Sequence, residues 1–130
     1  GEYSVAHVRN FYKRPMTDVP VATRRSNGVK AVKCASRLHP GDPIYFASDS
    51  SHSAVAVQEF AVANDYRIYT NAQVTSTSNA STTKPVDPLH LDFAGKGNRT
   101  WPVSAYYDTF VDLLILGNAR CVSFGEGGYG

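Results

Sequence analysis

No window of the chain approaches the roughly 20 consecutive apolar residues that a helix needs to cross a bilayer. No run of basic residues is longer than a pair. The first absence leaves any membrane attachment to an anchor outside this stretch. The second, with a formal net charge of +2, argues against a dedicated nucleic-acid binder, which needs a basic stripe to meet phosphates. Lys13-Arg14 and Arg24-Arg25 read as a solvated loop face. Cysteines number 2, too few for a disulfide framework or a thiolate zinc site. Both Cys34 and Cys121 sit in apolar runs and read as buried free thiols. His39, His52 and His90 show no metal-ligand spacing, so no metal is expected. An initiating methionine and a signal-like segment are also missing, and the chain stops on Gly127-Gly128-Tyr129-Gly130. Those features read as a fragment of a longer protein, which makes the missing signal uninformative.

What is present is globular in composition. Apolar residues make up 42% and charged residues 18% of 130 positions, which suits one domain with one core rather than a disordered chain. Tyr3 to Arg9 reads as a first strand. Asn10 to Gly28, with Pro15 and Pro20, reads as a long loop closed by an Asn27-Gly28 turn. Val29, Val32, Ala35 and Leu38 recur at helical spacing and predict a helix from Val29 to His39, stopped by Pro40-Gly41. Ile44 to Ser48 is a continuous apolar run, as in a strand buried on both faces. Ser48-Asp49-Ser50-Ser51 offers N-caps for a helix from His52 to Asn64. Arg67 to Thr70 reads as a third strand.

Residues 71 to 100 carry no helical or strand period before Pro88-Leu89-His90-Leu91. Ser104 is a candidate N-cap for a helix from Ala105 to Leu116. Its apolar face is Tyr106, Phe110, Leu113 and Leu114 with Val111, Ile115 and Leu116. Asp108, Thr109 and Asp112 lie on the other side. Gly117-Asn118 ends it, and Arg120 to Phe124 reads as a fourth strand. Strands alternating with helices predict an α/β domain with a doubly wound, mainly parallel, Rossmann-like sheet. With the first strand central, the order 3-2-1-4 places the switch point between strands one and four.

The candidate chemistry gathers at the ends of those strands. His7 and Arg9 are two residues apart, so a strand projects them to one side, at the edge where open α/β sheets hold ligands. An arginine there can meet a phosphate with paired hydrogen bonds. On those two residues alone the plainer reading is a satisfied core histidine and a solvated strand end. Gly125, Gly127 and Gly128 leave backbone amides open to close approach, which suits phosphate. Alone they could equally be an ordinary turn, and they match neither the dinucleotide fingerprint nor the lysine-containing phosphate loop. Asp49 either caps the second helix or recognises a base or ribose. No nucleophile elbow surrounds Ser48 or Ser50. Tyr106 and Tyr107 read as packing residues. The tripeptides Asn79-Ala80-Ser81 and Asn98-Arg99-Thr100 are glycosylation sequons in polar loop segments and lean toward a secretory compartment.

Val5-Ala6-His7-Val8-Arg9 resembles the His-x-Arg strand of fucosyltransferases of the GT-B type. That group includes the protein O-fucosyltransferases, the alpha-1,6-fucosyltransferases and the nodulation fucosyltransferases. Ile44 to Asp49 looks like their second motif, a strand ending in an acid. Asp108 to Leu116, followed by Cys121-Val122-Ser123-Phe124-Gly125, looks like their third, a helix and strand ahead of the donor loop. The resemblance spans nearly the whole chain. It implies a C-terminal donor-binding half that takes GDP-fucose, requires no metal or other cofactor, and serves a glycan or protein acceptor in the Golgi or endoplasmic reticulum lumen. It implies that Arg9 contacts the donor diphosphate, that His7 and Asp49 contact the guanosine, and that Gly125 to Gly128 hold the phosphates. An acid in the loop after the first strand is the base in one branch, and Asp18 is the nearest candidate. The chain departs from the pattern at Asn10, where many members have a second arginine, and in a donor loop that is glycine-rich with Glu126 rather than serine-rich. Those departures leave room for another nucleotide sugar or for a non-catalytic carbohydrate- or protein-binding domain that keeps the fold.

Overall fold

The computed structural model describes residues 1–10, 19–71, 104 and 107–124. Its elements run β1 (Ser4–Val8), α1 (Val21–Leu38), β2 (Ile44–Ser48), α2 (Ser51–Asn64), β3 (Ile68–Tyr69), α3 (Tyr107–Gly117) and β4 (Cys121–Phe124). All strand pairs are parallel, and the sheet order is β3-β2-β1-β4. The doubly wound, Rossmann-like α/β architecture expected from the alternation of elements is therefore the one observed, with β1 central. Ser4 to Val8 pair with Ile44 to Ser48, and Ser4 to His7 pair with Cys121 to Phe124.

Period-two alternation divides the sheet into two unlike faces. Ala6 and Val8 of β1 join Ile44 and Phe46 of β2 on one face, where Ala31, Val32 and Ala35 of α1 and Ala54 and Val57 of α2 complete the core. Phe46, Val8, Val32 and Val57 are wholly buried. Each such side chain removed from water is worth about 1.5–3 kcal/mol. The other face carries Val5, His7, Tyr45 and Ala47 and is crossed by α3. Two phenols tether that helix. Tyr45 Oη donates to Asp112 Oδ1 at 2.5 Å, and Tyr3 Oη donates to the carbonyl of Ile115 at 2.8 Å.

Helix α1 begins eight residues earlier than its apolar period indicates. Val21 to Gly28, Arg24 and Arg25 included, is helical rather than loop, and Asn27-Gly28 is not a turn. Gly28 is instead a crossing point. A Cβ built on it would lie 3.1 Å from the Ser53 carbonyl oxygen and 3.1 Å from Val57 Cγ2. Here α1 and α2 approach so closely that a side chain would fit only if its neighbours shifted by a few tenths of an ångström. The first helical bond runs from Arg24 N–H to Pro20 O at 3.0 Å. Proline suits this position because its missing N–H would have no helical partner anyway. Helix α1 ends at Leu38, and the His39 N–H still bonds Ala35 O. Helix α2 is capped by Ser50, whose side chain accepts from Ser53 N–H at 3.4 Å. Its other end is Asp65 in the left-handed region, φ 55°.

Other expectations are corrected here. Cys34 is exposed and Cys121 half-buried, so neither is a fully buried thiol. Tyr107 is 60% exposed rather than packed. Asp112, expected on the outer side of its helix, faces the sheet through Tyr45.

Candidate functional site

Strand β1 presents His7 and Arg9 on the face opposite the α1/α2 core, as the period of two requires. Both are half-buried. In the ladder His7 sits between Ala47 of β2 and Phe124 of β4. Its ring meets Phe124 edge-on, with centroids 5.9 Å apart and planes at 76°. His7 Nδ1 is buried and has no hydrogen-bond partner among the described residues. Burial holds the imidazole pKa below its ordinary 6.5, because a charged ring loses hydration there. The negative charges of Asp49 and Asp112 oppose that shift, and the Arg9 guanidinium reinforces it. A neutral ring results, which can donate through one nitrogen and accept through the other.

Asp49 follows β2 in phase with Tyr45 and Ala47. Its Oδ1 accepts the backbone N–H of Asn10 at 2.8 Å and the Asn10 side-chain amide at 3.4 Å. The helix N-cap is Ser50, so Asp49 is tied to the end of β1. His7, Arg9 and Asp49 thus come together where the two central strands end. Asp18, Gly125, Gly127 and Gly128 lie outside the described residues, as do the sequons at Asn79 and Asn98. So do residues 11–18 and 125–130, the segments that follow β1 and β4.

Asn10 is the residue that sequence reasoning undervalued. It is wholly buried. Its Nδ2 donates to Ser53 Oγ at 3.1 Å and to Ser48 Oγ at 3.3 Å, and its Oδ1 accepts from Asn27 Nδ2 at 3.5 Å. Ser53 Oγ in turn donates to the Arg24 carbonyl at 2.7 Å. One amide therefore joins the ends of β1 and β2 to the first halves of α1 and α2. The signal was available. Asn10 continues the phase of Ser4, Ala6 and Val8, so alternation alone puts it on the helix-covered face. An arginine would not fit a position with no exposed surface. Tyr45 and Asp112 were also missed, because an apolar stripe on α3 suggested that its acids faced away.

Two of the clefts on the described surface are lined by residues other than His7 and Arg9. One of about 480 Å³ lies between α1 and α2, lined by Arg25, Lys33, Glu59 and Phe60 among others. The other, of about 500 Å³, lies on the α3 face and is lined by Tyr3, Pro43, Tyr45, Tyr69 and Ile115. It sits by the strands' N-terminal ends, away from the edge where parallel sheets take ligands. No group of three or more His, Cys, Asp or Glu side chains with metal-holding geometry occurs among the described residues. No described helix is long and apolar enough to cross a membrane. Comparison of the chain with known protein families, curated proteins and solved structures finds no match in any of the three.

Proposed function

We propose that this chain is the donor-binding half of a glycosyltransferase that transfers fucose from GDP-fucose to a glycan or protein acceptor. The observation that supports the reading is Arg9, beside His7, where the central strand of a parallel 3-2-1-4 sheet ends at its switch point. On this reading fucose is transferred by direct displacement of GDP. Arg9 stabilises the negative charge that grows on the leaving diphosphate. His7 and Asp49 meet the guanosine, Gly125, Gly127 and Gly128 hold the phosphates, and Asp18 is the candidate base. The acceptor is bound by another part of the enzyme, in the endoplasmic reticulum or Golgi lumen.

Isothermal titration with GDP, GMP and UDP tests it. GDP binding more tightly than both others is the expected result. UDP binding more tightly than GDP points to a different nucleotide sugar. Equal or absent binding of all three defeats the donor site. A second reading, a non-catalytic binding module, draws on Asp49. The Oδ1 of that carboxylate already serves Asn10, a structural use that needs no ligand.

A further inference from the structure

We propose that the groove between α1 and α2 docks an acidic peptide segment of a partner protein, with Lys30 and Lys33 receiving its carboxylates and Phe60 an apolar side chain. The inference goes beyond the donor-site reading and does not depend on it, because α1 and α2 cover the face of the sheet opposite His7 and Arg9. Helix α1 carries Arg24, Arg25, Lys30, Lys33 and Arg37 and no acid. Helix α2 has Glu59 as its acid and neither lysine nor arginine. Along the sequence these cations never exceed a pair, but the helical turn brings Lys30 and Lys33 to one side. Like charges at that spacing repel, so a solvated helix face usually interleaves both signs. Arg37 lies in the last turn, where a cation complements the helix dipole. Lys30 and Lys33 lie too far from that end for the same account.

Glu59 is already engaged, since its Oε2 accepts from Arg25 Nη2 at 2.5 Å. No carboxylate among the described residues pairs with Lys30 or Lys33, and both side chains are exposed. Lys33 Nζ stands 5.2 Å from the centre of the Phe60 ring. That ring stacks on Tyr66, with centroids 5.4 Å apart and planes at 24°. The ring thus has a backing, and the ammonium a preferred place beside it. Val29 and Ala56 extend the apolar lining of the groove, whose volume is about 480 Å³. Apolar lining and a positive rim together complement a segment that carries acids around an apolar side chain. Glu59 decides against a nucleic acid. A phosphate backbone bears charge at every step and would bring one against that carboxylate, whereas a peptide can leave the position neutral. An anionic bilayer surface would meet the lysines and leave the Phe60 recess unfilled.

The probe is the fluorescein-labelled peptide Asp-Glu-Asp-Leu-Leu-Asp-Glu-Asp, titrated with the full chain and read by fluorescence anisotropy. Saturable binding that weakens with added salt is expected. Lys33→Gln should lower affinity about threefold, and Lys30→Gln with Lys33→Gln about tenfold, as for exposed ion pairs. Arg37→Gln removes the same charge from a residue outside the groove lining and should change affinity little. Glu59→Gln frees Arg25 and removes the rim carboxylate, so affinity should rise about threefold. Glu2→Gln makes the same charge change at the other cleft and should have no such effect. All these side chains are exposed, and thermal unfolding of each variant confirms that the fold is kept. Equal losses in Lys33→Gln and Arg37→Gln would mean attraction to overall charge and would overturn the proposal. Absence of binding, or equal affinity for the peptide with serine in place of both leucines, overturns it too. Tighter binding of a single-stranded RNA or of phosphatidylserine vesicles, with the same order of variants, assigns the groove to that polyanion and overturns the peptide. Binding of GDP plays no part in these outcomes, so the donor-site reading stands or falls separately.

Discussion

On the face of the sheet covered by α1 and α2, Val8, Val32, Phe46 and Val57 have no exposed surface, and two helices cross with Gly28 in tight contact with Ser53 and Val57. On the face crossed by α3, Leu113 and Leu114 stay 63% and 67% exposed, and two tyrosine hydroxyls tie the helix to its neighbours. The first face is held by apolar burial and close packing. The second buries Val5 and Ala47 as well, but among the described residues its helix is tied down by two phenol bonds. His7 and Arg9 project from the second. The contrast separates two tasks within one four-stranded sheet. One layer supplies most of the apolar core, and His7 and Arg9, both half-buried, project from the other face. Asn10 is the link between them, since its side chain is buried in the α1/α2 layer while the residue before it lies on the other face.

The division can be broken most severely at Phe46. Phe46→Ala leaves a cavity in the packed layer and should cost about 3–5 kcal/mol, measured by denaturant unfolding. Leu114→Ala on the other face should change stability by less than about 0.5 kcal/mol, because an exposed residue loses little burial. Similar losses at both sites would show that the two faces are equally packed. Gly28→Val is the next largest change. The new side chain meets a backbone carbonyl and Val57 at once, so overpacking should cost about 1–3 kcal/mol. Retained stability there would mean that α1 and α2 can move apart freely.

Much of the first face was legible in the sequence, and the reasons for the errors are specific. Continuous apolar strands identified the parallel sheet, and Val32 and Ala35 marked the core side of α1, whereas Val29 is half-buried and Leu38 is 55% exposed. The first two turns of α1 were hidden because Asn27-Gly28 carries the local signature of a turn. Tertiary contact overrides it: Asn27 bonds Asn10, and Gly28 lets α2 approach. The second face was harder to read. The apolar stripe of α3 implied that its acids faced away, yet Asp112 points to Tyr45. Periodicity reports where apolar residues lie on a helix, not which side the rest of the chain tethers. In the candidate site the placement of His7 and Arg9 followed from strand alternation alone. The role of Asn10 did not, because its partners at positions 27, 48, 49 and 53 come together only through the fold.

A smaller effect sharpens the comparison through pH. Burial lowers the folded-state pKa of His7 below its unfolded value of 6.5. The unfolded chain therefore binds the proton more readily, and folding stability is highest above that value. It should decline as pH falls from 6.5 toward the lowered folded value, and this contribution should level off below it. His7→Gln should flatten that part of the stability profile measured by thermal unfolding between neutral and mildly acidic pH. An unchanged slope would show that His7 is hydrated like a surface histidine.

The most direct test of the division of labour is one substitution read two ways, Arg9→Lys followed by GDP titration and by thermal unfolding. Lysine keeps the charge and loses the planar fork. Loss of a charge-assisted hydrogen bond costs about 1.5–3 kcal/mol, so GDP affinity should fall by roughly ten- to a hundred-fold while the unfolding midpoint stays at the wild-type value. Affinity within twofold of wild type, or a large fall in the unfolding midpoint, would contradict the account and make Arg9 part of the framework.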